Sequence, residues 1–120
     1  MSTKKVLVID DESFIRDLVS DFLDLKNIQC DEAENAKRAL EKFSKNRYSL
    51  VLLDVNLGKS SAAEVIIELK KIRTDVPILL LTGDPNYSPD YSGQIGADGI
   101  IYKPFQVDPF IENVMKFLEI

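Results

Sequence analysis

The sequence predicts an α/β protein, in which a parallel sheet of five strands is covered by helices on both faces. Short apolar runs of strand length alternate five times with segments in which apolar residues recur at helical spacing. Most of these runs are apolar at successive positions, which is typical of strands buried on both faces. Strands that are separated by helices form parallel sheets. The length of 120 residues is that of one ordinary domain.

The first three strands are predicted at residues 4–9, 28–33 and 49–54. Between them lie two segments with one apolar face at helical spacing, 14–23 and 36–43. Asn35 directly precedes the second of these helices and is a typical N-cap residue. Asp10, Asp11 and Ser13 are the corresponding candidates for capping the first helix.

The second half of the chain predicts a third helix at 65–72, a fourth strand at 78–82 and a fifth strand at 99–102. The segment where the fourth helix belongs contains Pro85 and Pro89, and proline inside a helix costs about 3 kcal/mol. We therefore expect that helix to be short or irregular. Asp108 and Pro109 predict the cap of the last helix and a proline in its first turn, and the apolar face of that helix runs over 110–118.

Polar side chains stand at the carboxyl ends of these strands, where α/β sheets bind their ligands. They are Asp10 and Asp11 after the first strand, Asp54 at the end of the third, Thr82 at the end of the fourth and Lys103 after the fifth. Each one alone has an ordinary explanation as a cap, a turn residue or a solvated charge. Together they bring three carboxylates, a hydroxyl and an amine to one edge of the sheet, which favours a binding site.

The chemistry of this set points to a metal ion and a phosphoryl group. Clustered carboxylates raise one another's pKa and oppose folding, and a divalent cation relieves their repulsion. Oxygen ligands without histidine favour Mg²⁺, with Mn²⁺ as the alternative. A lysine ammonium suits phosphoryl oxygens, and a carboxylate beside a metal ion attacks phosphoryl donors. We therefore interpret Asp10 and Asp11 as the metal-binding pair and Asp54 as the phosphoryl acceptor.

The composition excludes several other kinds of site. The chain contains no histidine, which removes His-based catalytic triads, His metal sites and a phosphohistidine on this chain. The formal net charge of -5 argues against a nucleic-acid partner, which favours a basic surface. The single cysteine, Cys30, leaves no internal disulfide. The apolar run VLVI is too short for a signal peptide core or a membrane span, so we expect a cytoplasmic protein without membrane insertion.

Four segments, VLVIDDESFIR, VLLDVNL, PILLLTG and GADGIIYKPF, together resemble the receiver domain of two-component response regulators. They occur in the family's order and extend over almost the whole chain, so residues 1–120 are expected to form one receiver domain of the single-domain, chemotaxis-regulator type. The resemblance implies a flavodoxin-like, doubly wound (βα)5 fold with strand order 2-1-3-4-5.

The resemblance also implies a role for each residue of the site. Asp54 would be the phosphoacceptor, Asp11 would bind the metal directly and Asp10 would bind it mainly through water. The backbone carbonyl of Asn56 would complete the metal site. Asn56 and Asp84, two residues beyond the acceptor and beyond the strand-four threonine, would control hydrolysis of the phosphorylated form.

The remaining implied roles concern the phosphoryl group and the switch. Thr82 would contact the phosphoryl group and take part in switching. Lys103 would pair with a phosphoryl oxygen, and the Lys103–Pro104 peptide bond would be cis. The donor would be a phosphohistidine on a sensor histidine kinase or a histidine phosphotransfer protein. The output would be a contact with an unidentified downstream protein, and the domain would not be a turnover enzyme on an external substrate. Any DNA-binding or enzymatic partner would lie on another chain or a removed segment.

The sequence departs from the receiver pattern in the loop after the acceptor, in the fifth strand and in the fourth helix. Gly58 and Ala62 stand where the family usually has proline and glycine, so we expect the loop after Asp54 to run differently. Ile100 replaces the usual switching aromatic, and an aromatic is displaced to Tyr102. The prolines described above affect the fourth helix.

Several alternatives remain beside the switching receiver. The domain could act as a phosphate sink or relay, or as a receiver-like binding module that is not phosphorylated. The complete acid set disfavours the last, because a degenerate site usually lacks Asp11, Asp54 or Lys103. A haloacid dehalogenase-type phosphatase requires Asp-x-Asp after its first strand, whereas here Asn56 follows Asp54 after the third. A flavodoxin is disfavoured because the acidic loop after the first strand would repel the cofactor phosphate.

Overall fold

The computed structural model describes residues 4–118 and contains one parallel sheet surrounded by helices. The strands are, in chain order, β1 (Lys5–Ile9), β2 (Gln29–Ala33), β3 (Leu50–Asp54), β4 (Asn56–Leu57), β5 (Ser60–Ser61), β6 (Ile78–Thr82) and β7 (Gly99–Tyr102). The helices are α1 (Ser13–Asp24), α2 (Ala36–Lys45), α3 (Ala62–Ile72), α4 (Pro89–Gln94) and α5 (Val107–Leu118).

The sheet has the order β2-β1-β3-β6-β7, and all of its pairings are parallel. The strands β4 and β5 form a separate small hairpin, so β6 and β7 are the fourth and fifth strands of the main sheet. The predicted flavodoxin-like (βα)5 fold and its strand order 2-1-3-4-5 are therefore confirmed. None of the helices in residues 4–118 combines the length and the apolar character that a membrane span requires.

Two apolar clusters hold the helices against the sheet. Successive residues of a strand point to opposite faces, so Leu7 and Leu53 join the cluster that contains Phe43 of α2 and Leu69 of α3. The alternate strand residues pack on the other face, where Phe110 of α5 is fully buried. Because both faces are covered, β3 and β6 are buried at every position, which explains their continuous apolar sequence.

The helix starts match the sequence predictions only in part. Asn35 caps α2 as predicted, since its side chain accepts the backbone N–H of Arg38 at 2.8 Å. The predicted caps of α1 are wrong, because Glu12 occupies that position and its side chain makes no capping hydrogen bond. The predicted cap of α5, Asp108, is also wrong, because that helix begins at Val107. Pro109 lies in the first turn, as predicted, where the helix provides no acceptor for an N–H and proline is tolerated.

The fourth helix is short, as predicted. It contains six residues and has Pro89 in its first turn, where a missing N–H costs nothing. The side chain of Ser88 caps it by accepting the N–H of Tyr91 at 3.2 Å. Gly96 follows with a φ of 93°, which favours glycine, and leads the chain towards β7.

The segment after β3 forms a hairpin that the sequence did not predict. Asn56 and Leu57 pair with Ser61 and Ser60 in antiparallel register. Gly58 occupies the turn with a φ of 59°, a conformation that glycine adopts without steric cost. The hairpin thus uses glycine where the receiver pattern usually has proline, and it delivers Ser61 to the N-cap of α3, where its side chain accepts the Glu64 N–H.

Candidate functional site

The parallel register brings the polar strand ends together at one edge of the sheet. Asp10 follows β1, Asp54 ends β3, and Lys103 follows β7. The Lys103 ammonium lies 2.9 Å from Asp10 Oδ2 and 3.6 Å from Asp54 Oδ1. Residues separated by as many as 93 positions therefore form one charged cluster.

Four carboxylates gather at this edge of the sheet, near the Lys103 ammonium. Asp10, Asp11, Glu12 and Asp54 each provide an oxygen within 4.8 Å of the others. Asp10 and Asp54 are buried, whereas Asp11 and Glu12 are exposed. The sequence interpretation did not assign a role to Glu12, although its carboxylate lies 3.6 Å from the Lys103 ammonium. Its position directly after the two aspartates was the only signal available in the sequence.

An open cavity of about 640 Å³ lies above the cluster. Its lining residues are Asp11, Glu12, Asp54, Asn56, Gly83, Asp84, Pro85 and Lys103. Asn56 also donates its backbone N–H to Asp54 Oδ1 at 3.2 Å. The cavity is therefore acidic on most sides and has one ammonium, an arrangement suited to a cation and an anionic group bound together.

Thr82 and Asp84 form a turn at the end of β6. The hydroxyl of the buried Thr82 accepts the Asp84 N–H at 3.0 Å, and Asp84 Oδ1 accepts the Asn86 N–H at 2.9 Å. Thr82 is not among the cavity-lining residues, while Asp84 is. The structure thus brings Asp84 to the cavity wall and leaves the Thr82 hydroxyl engaged with the backbone of the following loop.

Hydrogen bonds fix Asp10 on all sides. Its Oδ1 accepts the Glu12 N–H at 2.9 Å, and its backbone N–H donates to the Ala33 carbonyl at 3.1 Å. Its own carbonyl accepts Nη1 of Arg16 at 2.7 Å. The sequence interpretation missed Arg16, because an arginine in an amphipathic helix carries no signal of an inward-facing contact.

The buried charges shift the pKa of two groups. Burial and the neighbouring Asp10 carboxylate raise the pKa of Asp54 from 3.8 to about 6, although the Asn56 N–H and Lys103 act in the opposite direction. Burial alone would lower the pKa of Lys103, but its hydrogen bond to Asp10 and the nearby Asp54 and Glu12 carboxylates raise it. Lys103 therefore stays charged. The peptide bond between Lys103 and Pro104 is cis.

The raised pKa of Asp54 predicts a pH dependence of stability. Because folded Asp54 binds its proton more tightly than unfolded Asp54, the folded chain holds more protons between about pH 4 and pH 6. The free energy of unfolding in chelator should therefore fall as pH rises through this window, by about 3 kcal/mol at most. Denaturant unfolding at several pH values measures it. Asp54→Asn should flatten the profile, and parallel profiles for the two proteins would contradict the assignment.

The donor set fits a magnesium ion. All candidate ligands are oxygens, and two of the carboxylates are exposed towards the cavity, as an ion that retains several water molecules requires. Burial and the Asp10 carboxylate raise the pKa of Asp54 despite the neighbouring Lys103, so the ionised cluster lacks positive charge, and this is the second observation in favour of a bound cation. Asp10, Asp11 and Asp54 are the residues that would hold it.

Millimolar Mg²⁺ is expected to raise thermal stability, because the ion binds only the folded cluster. At ten times the dissociation constant the gain is about 1.4 kcal/mol. Asp11→Asn should remove most of this gain in a thermal unfolding experiment. Asp17→Asn is the matched control, since it makes the same charge change at an exposed position of α1. An equal response of the Asp11 variant and the parent would show that the metal site is wrongly assigned.

The doubly wound sheet and its acid cluster beside a lysine define a class of α/β domains that accept phosphoryl groups on a carboxylate. The family model for the response regulator receiver domain matches residues 6–115, and the chain therefore belongs to the response regulator receiver family. Receiver domains serve as phosphoacceptors in two-component signalling and bind Mg²⁺ at an acidic pocket. The family predicted from the four sequence segments is thus confirmed.

Individual relatives support this assignment. The chain is 34% identical over 108 residues to the phosphate regulon transcriptional regulatory protein PhoB of Pseudomonas aeruginosa, a match that covers 88% of this chain and 47% of PhoB. The chain thus spans about half the length of this curated relative. The response regulator TrrA of Thermotoga maritima, solved in complex with Mg²⁺ and BeF, is 38% identical with a TM-score of 0.85, covering 96% of this chain and 99% of that one.

A second solved structure agrees with the first. The chemotaxis protein CheY4 of Vibrio cholerae is 27% identical, with a TM-score of 0.88 over 97% of this chain and 99% of that chain. The similarity therefore extends over nearly the whole (βα)5 unit in both structures.

Proposed function

We propose that residues 1–120 act as one receiver domain that takes a phosphoryl group on Asp54 in a Mg²⁺-dependent reaction. The observation that carries the proposal is the position of Asp54. Its carboxylate is buried at the base of the acidic cavity, 3.6 Å from the Lys103 ammonium. A buried carboxylate with a raised pKa and an ammonium beside it is a poised nucleophile with a partner for the incoming phosphoryl group.

The reaction is a phosphoryl transfer between two nucleophiles. A carboxylate oxygen of Asp54 forms a bond to phosphorus as the bond from phosphorus to the donor imidazole nitrogen breaks, and the electron pair of that bond leaves with the imidazole. Lys103 pairs with an oxygen of the transferred group, where its charge offsets the charge that accumulates. A bound Mg²⁺ would supply further charge neutralisation at the same oxygens. The resulting aspartyl phosphate is the signalling form.

The other site residues have supporting roles in this proposal. Asp11 would bind the metal directly and Asp10 through water, with the Asn56 carbonyl as a further ligand. Thr82 turns its hydroxyl from the Asp84 N–H to the phosphoryl group. Asn56 and Asp84, which line the cavity, orient the water that hydrolyses the aspartyl phosphate.

Receiver domains act with sensor histidine kinases and downstream effectors. For this chain we propose a phosphohistidine donor on a kinase or a phosphotransfer protein in the cytoplasm, and a downstream protein that recognises the changed surface. The domain consumes one donor per cycle and acts on no external substrate.

Intact-mass measurement with acetyl phosphate and Mg²⁺ tests the proposal. We expect the mass to increase by one phosphoryl group. No increase is expected when a chelator is added before the acetyl phosphate. A chain that gains no mass in Mg²⁺, while still binding the ion, would be a receiver-like binding module and not a phosphoacceptor.

The structure favours a backbone switch in the segment before β7. The hydroxyl of Tyr102 donates to the Tyr87 carbonyl at 2.6 Å and ties this segment to β7, while Ile100 is partly buried against the apolar cluster of α2 and α3. A β-branched side chain has few rotamers, so it is a poor switching group. The helix α4 has only six residues, and most residues of 83–96 are exposed, and such segments open at low cost.

We therefore expect phosphorylation to rearrange residues 83–96 rather than the side chain of Ile100. Beryllofluoride, whose fluorines stand in for phosphoryl oxygens on Asp54, provides a stable mimic. Amide hydrogen exchange with and without this mimic should change across 83–96. Changes confined to the neighbourhood of Asp11, Asp54 and Lys103 would indicate a phosphate sink or relay that does not switch.

A further inference from the structure

We propose that Arg16 is a positioning residue for the acid cluster, holding the peptide that joins Asp10 to Asp11 in the orientation needed for metal binding. The proposal rests on the proposed function in one respect, the assignment of Asp11 as a metal ligand. Within residues 4–118, the Arg16 side chain bonds to the Asp10 carbonyl and the Glu32 carboxylate, and not to the carboxylates of Asp11 or Asp54. It acts through the backbone behind them.

The first step is the contact itself. Nη1 of Arg16 lies 2.7 Å from the carbonyl oxygen of Asp10, and this carbonyl belongs to the peptide bond that links the two aspartates. The Arg16 side chain is only 16% exposed. A charged donor at this distance makes one of the stronger hydrogen bonds of a protein, so the rotation of this peptide plane is restricted.

The second step is the anchor of the guanidinium. Nε of Arg16 donates to Glu32 Oε1 at 3.2 Å, at the end of β2. The Glu32 carbonyl in turn accepts the ammonium of Lys42 from α2. Arg16 therefore connects α1, the end of β1 and the end of β2, and its fork geometry suits two acceptors in different directions.

The third step is the combination of both backbone groups of Asp10. Its N–H donates to the Ala33 carbonyl at 3.1 Å, and its carbonyl is tied through Arg16 to Glu32. Both sides of this residue are thus attached to the end of β2. Without Arg16, the carbonyl would lose its partner and the peptide leading to the exposed Asp11 would be free to turn.

A pure charge effect of Arg16 and a positioning role make opposite predictions for the Mg²⁺ affinity. Arg16 is a cation close to an acidic site, so its charge alone opposes the binding of Mg²⁺. Removing it should tighten metal binding if charge is its only influence. If it positions the Asp10–Asp11 peptide, removing it should weaken metal binding in spite of the more favourable charge.

Arg16→Gln is the variant that separates these effects, and Arg38→Gln is its matched control. Arg38 also pairs with glutamates, Glu34 and Glu41, but on the exposed surface of α2. Mg²⁺ affinity is measured by calorimetric titration. We expect Arg16→Gln to weaken it about 10- to 100-fold, as for other residues that orient metal ligands, and Arg38→Gln to leave it near the parental value.

A second readout requires no metal. The Glu12 N–H bonds to Asp10 Oδ1 at 2.9 Å, so release of the Asp10–Asp11 peptide should accelerate amide exchange at Glu12 in chelator. Arg16→Lys keeps the charge but not the two-directional fork, and we expect an intermediate loss of affinity. This variant carries the test if Arg16→Gln does not fold.

Unchanged or tighter Mg²⁺ binding by the Arg16 variants, with unchanged exchange at Glu12, would overturn the positioning role. That result differs from failure of the proposed function, which would appear in the parent chain as an absence of Mg²⁺ binding or of phosphorylation. In that event, the exchange measurement in chelator would still decide the role of Arg16.

Discussion

Asp54→Asn is expected to abolish phosphoryl incorporation from acetyl phosphate in Mg²⁺. The amide nitrogen and oxygen of asparagine occupy nearly the same space as the carboxylate, so the fold should persist, but the nucleophilic oxygen has lost its charge. The variant also removes a buried carboxylate whose pKa is raised by burial and by Asp10. We therefore expect the metal-free variant to be more stable than the parent at pH 7. Intact mass and denaturant unfolding measure the two effects.

Asp84→Asn is the matched control for this experiment. Asp84 lines the same cavity, so it experiences the same donor and the same metal ion, but it is not the proposed acceptor. It should incorporate one phosphoryl group, with any change confined to the rate at which that group is lost. A peptide map that finds the phosphoryl group of the Asp54 variant on another residue would refute the assignment of the acceptor.

Lys103→Ala is expected to slow phosphorylation about a hundredfold, the usual effect of removing one charge-stabilising donor from a reaction site. The ammonium lies between the carboxylates of Asp10, Glu12 and Asp54. Its loss removes the cation that pairs with the phosphoryl oxygen but leaves the metal ligands in place. Mg²⁺ should therefore bind at least as tightly as to the parent. The initial rate of incorporation and the Mg²⁺ affinity together measure this separation.

Lys70→Ala controls for the loss of a partly buried lysine. The Lys70 ammonium donates to the carbonyls of Thr74 and Val76, before the first residue of β6 and thus at the end of the sheet opposite the cavity. This variant should phosphorylate at the parental rate. If Lys103→Ala phosphorylates equally fast, the ammonium only balances the resting charge of the acids and takes no part in the transfer.

Asp54→Asn removes a negative charge from the cluster, and Lys103→Ala removes its positive charge, so the two variants should change the stabilisation by Mg²⁺ in opposite directions. Without a cation, the buried Asp10 and Asp54 are compensated mainly by Lys103, since a buried carboxylate is costly unless it is paired. Mg²⁺ adds the compensation that Lys103 alone does not provide. The stabilisation by Mg²⁺ should therefore be larger in Lys103→Ala than in the parent, and smaller in Asp54→Asn.

Periodicity was sufficient to predict the sheet and its edge. The apolar runs of β3 and β6 are continuous because both faces are covered, and the helical spacing of apolar residues marks the covering helices. In a parallel sheet all carboxyl ends lie at one edge, so Asp10, Asp54 and Lys103 had to approach one another once the strand order was correct. The prolines near α4 likewise predicted a short helix, because the missing N–H acts locally.

Sequence patterns failed to predict features that depend on contacts between distant residues, and elements that are too short to show a pattern. The β4–β5 hairpin has two residues in each strand, too few to form an alternating pattern, and Gly58 alone does not distinguish a hairpin from a loop. The cap of α1 was predicted wrongly because Glu12 is the extended residue that directly precedes the helix, and its side chain makes no capping hydrogen bond. The start of α5 was misplaced because Pro109 is compatible with any position of the first turn.

The sequence by itself predicted a five-stranded parallel sheet and the polar residues at its carboxyl edge, because strand periodicity and the chemistry of carboxylates and lysine are local properties. The receiver class and the strand order came from the resemblance of four sequence segments to that family. Only the tertiary structure decided that Asp10 is buried while Asp11 is exposed, and that Glu12 joins the cluster. It also decided that Arg16 donates a hydrogen bond to the Asp10 carbonyl. These features depend on distances between α1, β2 and β7, which lie far apart in the chain. Such distances are set by the packing of the helices on the sheet, and no window of the sequence contains them.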